Sequence, residues 1–232
     1  MSEISIIIPL APHETELKEL VKTLKNRDDI EIIVVSSIEQ KDGDGVRNIK
    51  SAAGRAQAMN AGAKAAKSKF LWFLHADTQL TNDNIESLQR ALKENSDALY
   101  YFNLLFDNEL SKMKINNYGV WFRSHILGVP FGDQGFCIKK DYFDHIGGYP
   151  EQAPYGEDHL FVWYARQYGL PLRCTGTELV TSSRKYQQEG WLKITLLFQY
   201  RWIKQAFPEW VKLLQFKWGK GQSYDRRNRS LR

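Results

Sequence analysis

Two cysteines, Cys137 and Cys174, are all that 232 residues contain. Two thiols exclude a disulfide scaffold and a four-cysteine metal centre, so both read as reduced cytosolic thiols. No uncharged run approaches the ~18 residues that a membrane-spanning helix needs. A basic leader is also missing: Met-Ser-Glu-Ile runs straight into Ile6-Ile7-Ile8, so no cleaved signal peptide is expected and the chain reads as cytoplasmic. Acid is scarce at one end. Residues 190–232 hold ten Lys/Arg and two Asp/Glu, whereas residues 1–189 hold 22 basic and 25 acidic residues. The net charge of +5 therefore belongs to the C-terminal fifth, and the −3 balance of the remainder offers no electrostatic footprint for nucleic acid. What is present is core material. Hydrophobic residues make up 43% and charged residues 25% of the chain, which excludes intrinsic disorder and suits one domain with an appendage.

Residues 3–10 and 30–35 are short β-branched runs that read as buried strands, and residues 69–74 are a third. Between them, Leu17, Leu20, Val21 and Leu24 repeat with helical spacing. Residues 36–50 are polar, carry Asp-Gly twice, and read as loop. Residues 55–67, Ala-rich after Gly54, read as a close-packed helix, and residues 82–94 as another. The β-α-β order argues for a mostly parallel sheet covered by helices, with ligands beyond the carboxyl ends of the strands. That rule puts Pro9, Ser36 and His75–Thr78 on one rim. Farther on, residues 98–106 and 136–138 read as strands, and 109–126 and 157–168 as helices.

Three acidic positions stand out. Asp77 follows the core-type run Phe70–Leu74; it serves either a site or a helix cap, a task open equally to Thr81, Asn82 or Asp83. Glu157 and Asp158 open a helix, where the dipole favours acids even without a function. Asp133 lies in a glycine-flanked loop, where turn chemistry is the plain reading.

Their order carries more. Gly54-Arg55-Ala56-Gln57-Ala58-Met59-Asn60-Ala61-Gly62, Phe73-Leu74-His75-Ala76-Asp77-Thr78, Gly132-Asp133-Gln134-Gly135 and Glu157-Asp158 follow one another in that sequence. The turn Gly147-Gly148-Tyr149-Pro150-Glu151 and the segment Thr181-Ser182-Ser183-Arg184 fit the same series. With these motifs the chain resembles the family 2 glycosyltransferases over roughly residues 3–190. It is most similar to a subgroup some of whose members are associated with arsenosugar biosynthesis. The resemblance implies a Rossmann-like, nucleotide-sugar-binding α/β domain of the GT-A type and a hexosyltransferase-like reaction. It implies that Asp77, with His75 where the family usually has a first aspartate, ligates a divalent metal at the donor diphosphate. It gives Asp158, in its Glu157-Asp158 pair, the role of general base, with Asp133 as the rival.

Chemistry agrees with those roles. A departing nucleotide diphosphate gains negative charge, which a cation held by one or two carboxylates stabilises. A carboxylate paired with an imidazole favours manganese over magnesium. One base without a protein nucleophile implies direct displacement and inversion at the sugar. Arg55 and Arg184 suit a diphosphate. Pro9, Ser36, Asn60 and Gln134 fall near the donor in the same frame. The acid that usually follows the second strand and reads the base is missing, since Ser36-Ser37-Ile38 stands there. A UDP-sugar is the family default, and the acceptor hydroxyl is not specified. A nucleotidyltransferase on a similar fold would want a glycine-rich loop after the first strand, and Pro9-Leu10-Ala11-Pro12-His13 has no glycine. A non-catalytic sugar- or nucleic-acid-binding relative is the other alternative.

The domain is expected over residues 1–189, amphipathic helices over 190–220, and a disordered basic tail over 221–232. Phe207, Val211, Leu214 and Trp218 share one helical face, and Pro208 suits the first turn of a new helix. Two readings stay open for this appendage: lying on an anionic membrane at the inner face, or packing as a helix pair on the domain.

Overall fold

In the computed structural model the chain runs β1 (Ile4–Leu10), α1 (Leu17–Leu24), β2 (Ile30–Ser36), β3 (Val46–Lys50), α2 (Arg55–Ala65), β4 (Phe70–Phe73), α3 (Asn82–Glu94) and β5 (Leu99–Phe106). It continues as α4 (Ser111–His125), β6 (Cys137–Lys139), α5 (Lys140–Ile146), α6 (Glu157–Tyr168), β7 (Leu172–Thr181), α7 (Arg184–Glu189) and α8 (Trp191–Trp218). The structure describes residues 2–11, 17–25, 27–43, 45–107 and 111–218, without the side chains of 111, 185 and 216–218. The expected tail over 221–232, Pro12, His13, the start of the helix expected at 109, and the Trp218 side chain lie outside the described residues.

The seven strands form one sheet in the order β3-β2-β1-β4-β6-β5-β7. All pair in parallel except β6, which is antiparallel to β4 and β5. Because strand side chains alternate between faces, a run apolar at every position must be covered on both. Ile4, Ile6 and Ile8 of β1 meet α1 and α3 through Leu20, Leu24, Ile85 and Leu88. Ile7 of β1 and Ile33 and Val35 of β2 meet Met59 and Ala63 of α2, in a cluster that extends to Phe161 of α6. The Ala-rich helix is as close-packed as its composition predicts: a Cβ on Gly62 would lie 2.5 Å from Ile7 Cγ2.

Two expectations change, and the structure adds one strand and the buried face of the last helix. Residues 46–50 are not loop but an edge strand, parallel to β2. Arg47, Asn48 and Lys50 hide it from a hydrophobic reading, because an edge strand is only half covered. Residues 172–181 form β7 beside β5, although Arg173, Thr175, Thr177 and Glu178 interrupt any apolar alternation. The helix pair expected after residue 190 is a single helix, α8, that passes through Pro208. Proline in a helix interior loses one backbone bond and crowds the preceding turn, but both halves of α8 are held by buried residues, Ile194 before it and Leu213 after it. The sequence leaves open which face of α8 meets the domain. Phe207 is 66% exposed, and the buried line is Ile194, Ala206, Glu209 and Leu213. Ala206 and Leu213 pack with Trp163 of α6 and with Val129. No helix of the described residues is long and apolar enough to cross a membrane.

Candidate active site

Because β6 runs opposite to its neighbours, the turn just before it shares an edge with the ends of the parallel strands. Pro9 is the last residue but one of β1, Ser36 ends β2, and His75–Thr78 follow β4. The 3-10 turn Gly132–Gln134 leads into β6. The N-terminal turns of α2 and α6 deliver Arg55, Glu157 and Asp158 to the same edge.

Asp158 is the hub. The Glu157 and Asp158 side chains are each 11% exposed, so they are not the surface acids that a helix dipole alone would favour. Asp158 Oδ2 accepts the Gly132 amide at 2.6 Å, and Oδ1 lies 3.6 Å from Arg55 Nη2. Arg55 Nε donates to Glu157. Burial works to raise the Asp158 carboxyl, but Arg55 and the Gly132 and His159 amides outweigh it and hold it below the usual carboxylate range. Those carboxylates keep Arg55 fully charged, its pKa raised despite burial. The loop fits Asp158 closely: a Cβ on Gly132 would sit 2.9 Å from Asp158 Cβ and Oδ2.

Asp133 differs. Its Oδ1 is sealed from solvent and has no hydrogen-bond partner among the described residues. Burial pushes its carboxyl up to about 6, with Asp158 and Asp77 adding to the rise and Arg123 and Arg55 opposing it. Arg123 is a residue that sequence reasoning missed. It is buried, lies 3.3 Å from the Phe131 ring centroid, and donates from Nε to the Val129 carbonyl at 3.0 Å. Burial lowers its guanidinium to about 10 while Asp133 and Asp158 pull the other way, so it stays cationic at neutral pH. Its only signal in the sequence is a lone charge in the apolar run Val120-Trp121-Phe122-Arg123.

The plain reading of Asp77 as a helix cap does not hold, because Thr81 caps α3 in a reciprocal pair with Asn84. Asp77 is half-buried at the rim and close enough to act on Asp133. Burial and Arg55 push the His75 imidazole down to about 4, against the pull of Asp158; it is a neutral nitrogen donor at pH 7.

Other expected positions prove to be supports. Asn60 donates to the Tyr149 carbonyl and accepts the Tyr149 amide, each at 2.9 Å, and reaches Glu151. Its amide thus binds the Gly148–Glu151 turn to α2. Gln134 is buried, accepting from Ser124 and the Phe131 amide and donating to the Phe102 carbonyl. The Ser36 hydroxyl is engaged with the backbone of Ile38. Arg184 is exposed at the start of α7, and Pro9 lies past the last β1–β4 pair, Ile7 with Phe73.

Behind α6 stands α8. Gln205 donates to the Tyr155 carbonyl at 2.6 Å and meets His159, which accepts from Trp163. Glu209 accepts from Gln167 at 2.7 Å. The appendage thereby buttresses the helix that carries Glu157 and Asp158.

No group of three His, Cys, Asp or Glu that could hold a metal occurs among the described residues. A cation shared with a diphosphate needs fewer protein ligands, since the phosphates and water complete its shell. Asp77 with neutral His75 fits such a two-ligand role.

The architecture recurs in known proteins. The mannosyltransferase PcManGT of Pyrobaculum calidifontis, solved with GDP-Man and Mn2+, is 14% identical with a TM-score of 0.67, over 93% of this chain and 68% of that one. TarS of S. aureus is 15% identical with a TM-score of 0.59, over 78% of this chain and 37% of that one. Its fragment 1-349, solved with UDP-GlcNAc, gives the same TM-score and identity, over 79% and 59%. The chain thus spans less than two thirds of the TarS chains it resembles. No curated protein matches the sequence. These likenesses show the fold, which is GT-A. The family model for glycosyl transferase family 2 matches residues 5–148, more than half of the chain, and the chain belongs to that family.

Proposed function

We propose that the protein transfers a sugar from a nucleotide-diphosphate sugar to an acceptor hydroxyl, with inversion and with help from a divalent metal. The observation that carries this reading is the gathering of Arg55, His75, Asp77, Asp133 and Asp158 at the carboxyl edge of a GT-A sheet. His75 and Asp77 would hold the cation, which supplies charge stabilisation to the diphosphate; an imidazole in the pair favours manganese. Arg55 and Arg184 add guanidinium charge for the phosphates. In the transfer the acceptor oxygen bonds to the anomeric carbon. The bond from that carbon to the diphosphate breaks with its electron pair on the leaving group, and the hydroxyl proton passes to a carboxylate.

Asp158 is the first assignment for that carboxylate, by its place in the Glu157-Asp158 pair. A specific observation favours a second: Asp133 has an unpartnered oxygen and a pKa near 6, closer to the operating pH where a general base works best. The acid limb of kcat/KM separates them, falling near pH 6 for Asp133 and well below it for Asp158. Full activity in Asp158→Ala would remove Asp158 from the role.

A UDP-sugar is the leading donor, although the neighbours include both UDP and GDP complexes and Ser36 offers no free hydroxyl to a base. A panel of nucleotide sugars tested by thermal unfolding, each with and without manganese, decides. A donor at ~100 times its Kd stabilises by about 2.7 kcal/mol, a rise of roughly 5–10 °C. A manganese-dependent rise with one nucleotide is expected, and no rise with any would overturn the reading.

A further inference from the structure

Fourteen large hydrophobic side chains are exposed among the described residues, and twelve fall in two stretches, residues 115–127 and α8. On α8 they are Leu192, Leu196, Tyr200, Ile203, Phe207 and Trp210. Steps of four, four, three, four and three residues place all six within about 80° of arc at 100° per residue. This is a second apolar stripe, separate from the Ile194–Ala206–Leu213 line that meets the domain. On α4, Ile115, Tyr118 and Phe122 repeat the pattern. The two helices are neighbours at their starts, where Trp191 Nε1 donates to Asn116 Oδ1 at 3.2 Å and Lys112 stands over the Trp191 ring.

Charge identifies the occupant. The described charged side chains on α8 that reach solvent, Lys193, Arg201, Lys204 and Lys212, are all cationic. Its one acid, Glu209, is 5% exposed and engaged by Gln167 and Lys212. Residues 111–127 contain no Asp or Glu, and residues 219–232 add five Lys/Arg against one Asp. A two-fold dimer through the stripe would set like charges face to face. An anionic bilayer is complementary to them, and tyrosine and tryptophan suit its interface. We propose that the outer stripe of α8, with the apolar face of α4 beside it, docks the protein in the plane of an anionic membrane surface.

The test is co-sedimentation of the full chain with vesicles of phosphatidylcholine alone, or of equimolar phosphatidylcholine and phosphatidylglycerol. Binding at least about tenfold stronger to the anionic vesicles, and weaker at high salt, is expected. Tyr200→Glu with Phe207→Glu should lose that binding at an unchanged thermal midpoint, because these side chains are 62% and 66% exposed. Lys193→Gln with Lys204→Gln, which leaves the stripe intact, should weaken only the anionic binding. Failure of the wild-type chain to bind anionic vesicles at low salt overturns the proposal. So does a wild-type dimer that the Glu variant converts to monomer without any vesicle binding.

Discussion

Asp133 is held in surroundings that disfavour its charge. With its carboxyl raised from 3.8 to about 6, the folded state binds the proton more tightly than the unfolded state does. Stability therefore falls as pH rises from about 4 through 6, and the penalty is complete above that range. Asp133→Asn, which removes the charge and keeps the shape, should raise the thermal midpoint at pH 7–8 and leave it nearly unchanged at pH 4, while lowering turnover. Melting curves across this range, with wild type alongside, check it; equal differences at both ends would mean that the charge is already compensated. Asp77, Asp133 and Asp158 drew attention through the order of their motifs along the chain, although each alone had a plain structural use. Arg123 was not legible: its importance comes from lying over Phe131 beside Asp133, a contact between chain segments that no local pattern encodes. Asn60 and Gln134 needed partners by their polarity, but only the fold reveals that those partners are the backbone of nearby turns and, for Gln134, of β5.

At the scale of elements, small residues set distances. Gly62 lets α2 approach β1 and β2 so closely that an added methyl would meet Ile7 at 2.5 Å and Val35 at 3.0 Å. Gly62→Ala should cost about 1–3 kcal/mol, the usual penalty of overpacking, although alanine is the better helix former. Chemical denaturation measures this, and a stabilised variant would show that the helix can lift without loss. The Ala-rich composition made this helix readable. In α8 the sequence was ambiguous for a physical reason: it carries two apolar stripes, and periodicity reports that a stripe exists but not which surface it meets. The edge strand β3 and the polar β7 escaped for the opposite reason, since half-covered strands need little hydrophobicity.

For the whole molecule, the order of strands matters more than their number. The first half, β1 to β4 with α1 to α3, follows local parallel crossovers, and apart from the edge strand β3 its β-α-β order was readable from hydrophobic runs. The insertion of β6 between β4 and β5 was not, because a three-residue strand from a distant segment leaves no signature of its place. All four residues of β4, Phe70–Phe73, are buried, and one of its edges is closed only when Cys137–Lys139 arrives. A chain ended at residue 107 should leave that edge and the apolar faces beside it open, and appear in the insoluble fraction. A soluble fragment with cooperative unfolding would show instead that the first half folds alone. On a ribosome adding roughly 5–20 residues per second, β4 waits several seconds for its antiparallel neighbour. A helix forms in about a microsecond or less, so the nascent protein's exposure to aggregation and its need of chaperones follow the pace of translation rather than the speed of folding.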